Sequence, residues 1–326
     1  MERSFDTDRG AVLHERLFDA VDPTAWDRFA AACGGSFLGC WKVIAAEALT
    51  RPVRIFEFRA GGDAIAQCAL AIVNGRVRFL DRLHILPAHT QCWASCIQAV
   101  VERCGPASYR YGSFWNHEHR CPRTLAARIP GASVVDGAAG VDRVDFAEWG
   151  SFAAYRRGIS ENIRRDYKKA ASSSPQVVTR RGLAAVRDVP GLVLLRREVM
   201  RRNNEPFSTL WDGPRHVLKL LALGEDAFIS TIRSGGVLHG SFFGVRFGNG
   251  IYYLGGGTAD RDQGFGSYLF LSLIEGWFAD QPKGVLYLGE NIPNVDPRTY
   301  TQGNLLYRRK LRADVIPGTR FRLDVR

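Results

Sequence analysis

The chain has 326 residues, 46% of them hydrophobic, and a formal net charge of +11 at pH 7. That is enough apolar chain for one large core or two ordinary ones, with two domains the expectation. No apolar run reaches bilayer-spanning length and the opening Met1-Glu2-Arg3-Ser4-Phe5-Asp6 lacks the apolar core of a signal peptide, so a cytoplasmic chain without membrane insertion is expected.

In chain order, residues 1–50 read as a helical lead-in, with Pro23, Trp26 and Phe29 at helix-like spacing. Strand-like runs follow at 53–59, 65–73 and 77–83, then a helix near 92–104, a strand at 109–114 and a short helix around 123–129. Seven cysteines, at 33, 40, 68, 92, 96, 104 and 121, form an odd set without paired spacing and read as buried reduced thiols. His117, His119 and Cys121 alternate and would project from one side of an extended strand. Without a distant fourth ligand they are assigned no metal.

The middle of the chain is basic. Ser160-Glu161-Asn162-Ile163-Arg164-Arg165-Asp166-Tyr167-Lys168-Lys169-Ala170 is helical by propensity and capped by Ser160. Arg164 and Lys168 share one face and Arg165 and Lys169 the next; a solvated basic face is the plain alternative to an anion site. A helix over 192–203 ends in a polar run and Pro206. After it, Phe207-Ser208-Thr209-Leu210-Trp211 could wall an acceptor groove, or Phe207 and Trp211 could simply pack.

Strands at 227–232, 237–247 and 251–254 lead to the breakers Gly255, Gly256 and Gly257. Arg261-Asp262-Gln263-Gly264-Phe265-Gly266 then opens a helix over 267–279. Glycines there would let consecutive N–H groups face an anion at the helix N-terminus. A strand at 285–288 ends in Gly289-Glu290-Asn291, and the last motif is Gln302-Gly303-Asn304-Leu305-Leu306-Tyr307-Arg308-Arg309-Lys310-Leu311. The two halves repeat one order of elements at an offset of about 175 residues, which implies duplication of one α/β unit. The first half has His84-Ile85-Leu86-Pro87-Ala88-His89 in place of the glycine turn. One working donor site is therefore expected, in the second half, with the first half serving architecture or acceptor binding.

The order strand, Arg-x-x-Gly-x-Gly, helix, strand, Tyr-bearing segment resembles the GNAT acyltransferase superfamily, with matches at Arg261, Gly264 and Gly266. Twin GNAT-like halves of which one lacks the loop resemble the Fem family of peptidyl and aminoacyl transferases and the related BioF-like acyltransferases. The segment 160–170 and the Tyr307-Arg308 pair are similar to Fem motifs as well. The resemblance implies an α/β (α+β) fold of two tandem GNAT-like domains, each a mixed twisted sheet flanked by helices. Residues 1–150 would be degenerate and 151–326 catalytic, the last strand free to pack back on the first domain.

The resemblance also implies roles. Leu254, Arg261, Gly264, Phe265 and Gly266 would bind the donor, and Asn162, Arg164, Arg165, Lys168, Lys169 and Trp211 an anionic acceptor or a tRNA end. Tyr307 would protonate the leaving group unless it is a core tyrosine, and Arg308 would stabilise an oxyanion or phosphate. Glu290 would be the base if burial raises its pKa, a solvated loop carboxylate being the simpler reading. Arg308 stands where Fem proteins carry lysine, and Leu311 or Arg312 where they carry glycine.

The expected activity is amide-bond formation by acyl transfer from aminoacyl-tRNA to the amine of a peptide-like or small-molecule acceptor, without a permanently bound cofactor or covalent enzyme intermediate. Acyl-CoA is the alternative donor, and a silent tRNA- or nucleotide-binding module the third reading. A monomer is expected.

Overall fold

The computed structural model describes residues 5–6, 11–118, 120–137, 140–259, 262–292 and 300–326. In chain order the strands are β1 (Phe5–Asp6), β2 (Val12–Arg16), β3 (Val53–Ala60), β4 (Asp63–Val73), β5 (Arg76–Phe79), β6 (His84–Ile85), β7 (Ser108–Tyr111) and β8 (Ala132–Gly137). They continue as β9 (Gly140–Asp145), β10 (Gln176–Arg181), β11 (Ala227–Ser234), β12 (Val237–Phe247), β13 (Gly250–Thr258), β14 (Val285–Glu290), β15 (Asp314–Pro317) and β16 (Arg320–Val325). The helices are α1 (Pro23–Ala32), α2 (Trp41–Ala48), α3 (Trp93–Cys104), α4 (Arg123–Arg128), α5 (Phe146–Trp149) and α6 (Phe152–Gly158). After these come α7 (Glu161–Ala171), α8 (Val189–Arg202), α9 (Thr209–Leu223), α10 (Phe265–Asp280) and α11 (Tyr300–Lys310).

Two compact units result, Met1–Val141 with Ile316–Arg326 and Asp142–Val315. The division precedes the 150/151 boundary expected from sequence because Phe146, Tyr155 and Ile159 belong to the second core. The first unit's sheet runs β1-β2-β3-β4-β5-β7-β16-β8, so the last strand of the chain completes it. On one face Trp26, Trp41 and Ile44 of α1 and α2 cover Ile55, Ala69 and Leu80. On the other, Trp93, Ile97 and Val100 of α3 cover Phe56, Val77 and Tyr109. α1 starts where Asp22 accepts the Thr24 N–H at 2.9 Å with Pro23 at the first helical position, which satisfies one orphan donor and removes another.

The second unit's sheet runs β10-β11-β12-β13-β14-β9-β15 around α10, which buries Phe265, Leu269, Leu271, Ile274 and Trp277. The first three turns of α10 are apolar on nearly every side and only Glu275, Gly276, Ala279 and Asp280 near its end are exposed, as in a helix packed into a core. The repeat is topological: β3-β4-β5 and β11-β12-β13 are antiparallel meanders, each followed by a helix and a parallel strand, β7 or β14.

Three expectations need correction. The glycines 255–257 do not end β13 but lie inside it: a Cβ at Gly256 would meet the Ser241 carbonyl, and one at Gly257 the Leu195 backbone at 2.7 Å. Glycine is required there by close passage of α8 and β12, not by a turn. Ser160 precedes α7, but its hydroxyl makes no cap bond; its N–H donates to the Lys310 carbonyl at 3.0 Å instead. The seven cysteines are free, yet only Cys40, Cys68, Cys92 and Cys96 are buried, Cys33 and Cys104 are partly so and Cys121 is exposed. Burial pushes the Cys33 and Cys96 thiols up to about 12, so neither is a thiolate at neutral pH. Among the described residues no helix is long and apolar enough to cross a membrane.

Candidate active site

β13 and β14 pair only at Gly250–Val285, Ile251–Leu286 and Tyr252–Tyr287. Both strands continue, to Thr258 and to Glu290, so their facing edges part and open a wedge lined by backbone donors and acceptors. A bulge sharpens the parting. Phe243 pairs with Gly255 and Gly244 with Tyr253, which leaves Leu254 as the extra residue in β13 and re-aims the backbone after it. Leu254 thus lies at the fork itself.

α8 closes one face of the fork. The absence of a side chain at Gly255 leaves room for the Arg196 Nη1, which a Cβ there would strike. Arg196 is held by Asp212 of α9, Nε to Oδ2 at 2.8 Å, and Asp212 is held in turn by its helix, where the His216 Nδ1 lies 2.6 Å from its carbonyl. His216 meets the Phe243 ring edge-on at 4.9 Å, and the Lys219 Nζ lies 5.9 Å from the same ring centre. Burial, with Arg215 and Arg196 nearby, pushes the Lys219 ammonium down to about 8, where it can exchange a proton at neutral pH. None of Arg196, Asp212, His216 or Lys219 carries a motif, and sequence reading missed all four; the i, i+4, i+7 spacing of Asp212, His216 and Lys219 on α9 becomes meaningful only once the helix is placed against Arg196 of α8.

The other edge carries the expected pair. The Arg308 Nη1 donates to the Glu290 carbonyl and to the Asp142 Oδ2, each at 2.8 Å, and Asn291 donates to the second Asp142 oxygen at 2.8 Å. Gly289, at φ +117, leaves space for the guanidinium, since a Cβ there would lie 2.8 Å from Nη2. Glu290 ends β14 half-buried beside this pair, so Arg308 and Glu290 are brought together, and through the Glu290 main chain rather than its carboxylate. Tyr307 points the other way. Its ring packs edge-on against Phe270 at 5.7 Å, and burial pushes its phenol well above the ordinary value, offset only in part by the Ser267 hydroxyl. The group stays protonated throughout the neutral range.

The glycine loop is built differently from the expected phosphate cradle. Gly264 is the αL residue at the start of α10, φ +75, and a Cβ there would collide with the Asp166 carbonyl of α7. The Lys169 Nζ donates to the Asp262 carbonyl at 2.7 Å, and Tyr167 stacks on Tyr268 at 4.8 Å. The space that Gly264 leaves is therefore taken by α7. Phe265 is buried and stacked on His239 at 4.0 Å, and a Cβ at Gly266 would meet the Thr258 side chain at 2.9 Å. Arg261 and His119 lie outside the described residues.

Of the α7 residues, Lys169 is tied to the loop and Arg164 to the Arg157 carbonyl at 3.4 Å, while Asn162, Arg165 and Lys168 are exposed. Trp211 is 79% exposed on the first turn of α9, which excludes ordinary packing for it.

The first unit has the same fork with different contents. β5 and β7 pair in parallel only from Arg76–Ser108 to Arg78–Arg110. In the opening beyond, Arg82 is 4% exposed and bonds Asn116 at 3.0 Å, Glu118 at 3.2 Å and the Cys33 carbonyl at 2.5 Å.

No family model and no curated protein matches the sequence. Solved structures do match over nearly the whole chain. FemX superposes with a TM-score of 0.70 at 8% identity, covering 95% of this chain and 96% of its own. L-PGS from Bacillus licheniformis gives 0.55 at 13% identity, with 92% and 91% covered. A tandem GNAT protein from the clavulanic acid biosynthesis pathway gives 0.54 at 13% identity, with 96% and 98% covered. Identities this low carry the fold and not the chemistry, and the fold is that of a duplicated GNAT protein, two mixed sheets flanked by helices with one open fork in the second unit.

Proposed function

We propose that the second unit forms an amide bond by moving an aminoacyl group from aminoacyl-tRNA to the amine of a peptide-like or small-molecule acceptor. The observation that carries this reading is the open fork of β13 and β14, whose unpaired backbone can accept a carbonyl and hold the oxyanion that develops on it. The Fem-like motifs at 160–170 and Tyr307-Arg308 support an RNA-borne donor, as does the fold shared with FemX. So does the packing of α7 on Gly264, which fills the place where an acyl-CoA pyrophosphate would need close backbone approach. The uncapped N-terminus of α10 is what favours the second reading, acyl-CoA as donor.

In this scheme the acceptor nitrogen attacks the ester carbonyl in the fork and a tetrahedral centre forms. The C–O bond to the ribose then breaks, the alkoxide takes a proton, and the amine loses one. Lys219, poised near 8, takes the proton from the acceptor through the space over Phe243. Arg308, fixed by Asp142, stabilises the oxyanion or the terminal phosphate of the tRNA. Positioning and charge supply the rate, with no nucleophile required.

The test is equilibrium binding of bulk tRNA and of CoA to the full chain. Discriminating, salt-sensitive tRNA binding without CoA affinity is expected; micromolar CoA binding with tRNA released by modest salt would replace the reading with the acyl-CoA one. Gly264→Val is a poor probe, because the φ of +75 and the Asp166 carbonyl make it a folding variant.

A further inference from the structure

The first unit carries a cationic row that the transfer chemistry leaves unused. β7 pairs in parallel with β5 and antiparallel with β16, and the registers set Arg110 directly beside Arg78 on one side and Arg322 on the other. Residues paired across neighbouring strands project from one face, so three guanidinium groups stand in line. The intervening residues Val77, Tyr109, Phe321 and Leu323 point into the core on the opposite face.

Like charges directly opposite one another are unfavourable, and the fold offsets this only at the two ends. Arg78 pairs with Glu47 of α2 at 2.7 Å and Arg322 with Asp324 at 2.9 Å. Arg110, exposed between them, has no carboxylate partner among the described residues. The end pairs stay open to solvent, with the Arg78 side chain 44% and the Arg322 side chain 52% exposed. The row lies along a cavity of about 720 Å³ that also reaches Leu38 and Phe114. Phe114, three residues past the end of β7, lines the same cavity half-buried and leans on Trp115 at 4.5 Å.

The outer arginines are two strand spacings apart, about 10 Å, more than one phosphate or carboxylate bridges. A charged groove that tracks a backbone beside an aromatic platform is the arrangement that binds single-stranded nucleic acid. We propose that this groove holds a single-stranded segment of RNA, with successive phosphates on Arg78, Arg110 and Arg322 and a base against Phe114. The identity of that RNA as tRNA rests on the aminoacyl-tRNA reading; the site itself rests on the arginine register.

The experiment is fluorescence anisotropy of labelled tRNA and of a labelled single-stranded RNA oligonucleotide on the full chain between about 50 and 200 mM salt. Arg110→Gln is expected to weaken binding three- to tenfold and to reduce the log–log salt slope by about 0.7, and Arg78→Gln with Arg110→Gln and Arg322→Gln to reduce it by about 2. Relief of the like-charge contacts should leave the Tm of Arg110→Gln unchanged or raise it by about 1–3 °C, which separates lost binding from lost folding. Equal affinity and slope for wild type and Arg110→Glu would overturn the site while leaving tRNA as donor. No RNA binding by the wild type would overturn both. Displacement of bound RNA by micromolar pyrophosphate would reassign the groove to a small anion.

Discussion

Both units hold a parallel strand pair together for three residues and then let it part, yet the two openings are filled in opposite ways. At the offset of the repeat, the first unit places Asp81, Arg82 and Leu83 where the second has Gly255, Gly256 and Gly257. Arg82 spans its fork to Asn116 and Glu118, and Asp81 accepts both the Ser36 N–H and hydroxyl at 2.8 Å. Burial alone would raise the Asp81 carboxyl; the bonds from His84 and Ser36 and the Arg82 charge more than offset it and hold it below the usual range. The first fork is a buried polar core, in which the Arg82 guanidinium and the Asp81 carboxylate are spent on protein partners. In the second, glycines bring α8 against the strand, and guanidinium groups of Arg196 and Arg308 stand at the two parted edges. The same topology is thus filled differently in the two copies, with Asp81, Arg82 and Leu83 in one standing where Gly255, Gly256 and Gly257 stand in the other.

Substitutions on the two sides of this contrast should separate stability from turnover. Arg308→Ala strips a buried carboxylate, Asp142, of its cation and removes charge from the working fork. We expect about 3 kcal/mol of lost stability and transfer reduced about 10³-fold, with Arg308→Lys recovering the fold but not the rate, read by denaturant melts and single-turnover assays. Arg82→Ala, the equivalent blow to the buried fork, should cost about 3 kcal/mol because Glu118 and Asn116 lose their donor, yet leave the rate per folded molecule within about twofold. A large loss of kcat from Arg82→Ala with normal stability would break the comparison.

Arg196→Lys sharpens it. Lysine keeps a cation beside Asp212, so the chain should fold, but loss of the guanidinium that sits against Gly255 should slow transfer about 10²-fold. The smallest effect among the second-unit variants is expected at Lys219, whose titration near 8 should appear as a rise in rate with pH that levels above that value. Lys219→Met should abolish the inflection and slow transfer about tenfold. Its folded pKa is depressed below the ordinary 10.5, so the native state is penalised below about 8 and the penalty is relieved as pH climbs from 8 to 10.5. The methionine variant should therefore be more stable than wild type at pH 7, by about 1 kcal/mol after allowance for partial exposure.

The sequence carried the duplicated order of strands and helices, because the meanders and α10 have strong apolar patterns that local propensity reinforces. It also singled out Glu290 at the end of its strand and Arg308 in the last motif, though not that the two would meet. It misread Gly255, Gly256 and Gly257 as a turn, since a glycine run signals backbone freedom without saying whether a turn or a close neighbour demands it; Leu195 and Ser241 supply the answer only after folding. Gly264 was legible as a special position, but the atom that requires it belongs to Asp166, far away in the chain. Asp142 and Arg308 are likewise remote in sequence, and α9 hid its polar face behind the exposed Leu210 and Trp211.

The most direct measurement is a single-turnover assay with bulk aminoacyl-tRNA and acetyl-CoA present together, a mixture of primary amines as acceptors, and wild type beside Arg196→Lys. Amine-dependent loss of charge from tRNA, slowed in the variant and without thiol release from the CoA ester, is the result the open fork predicts. Release of CoA thiol with the tRNA still charged would contradict it.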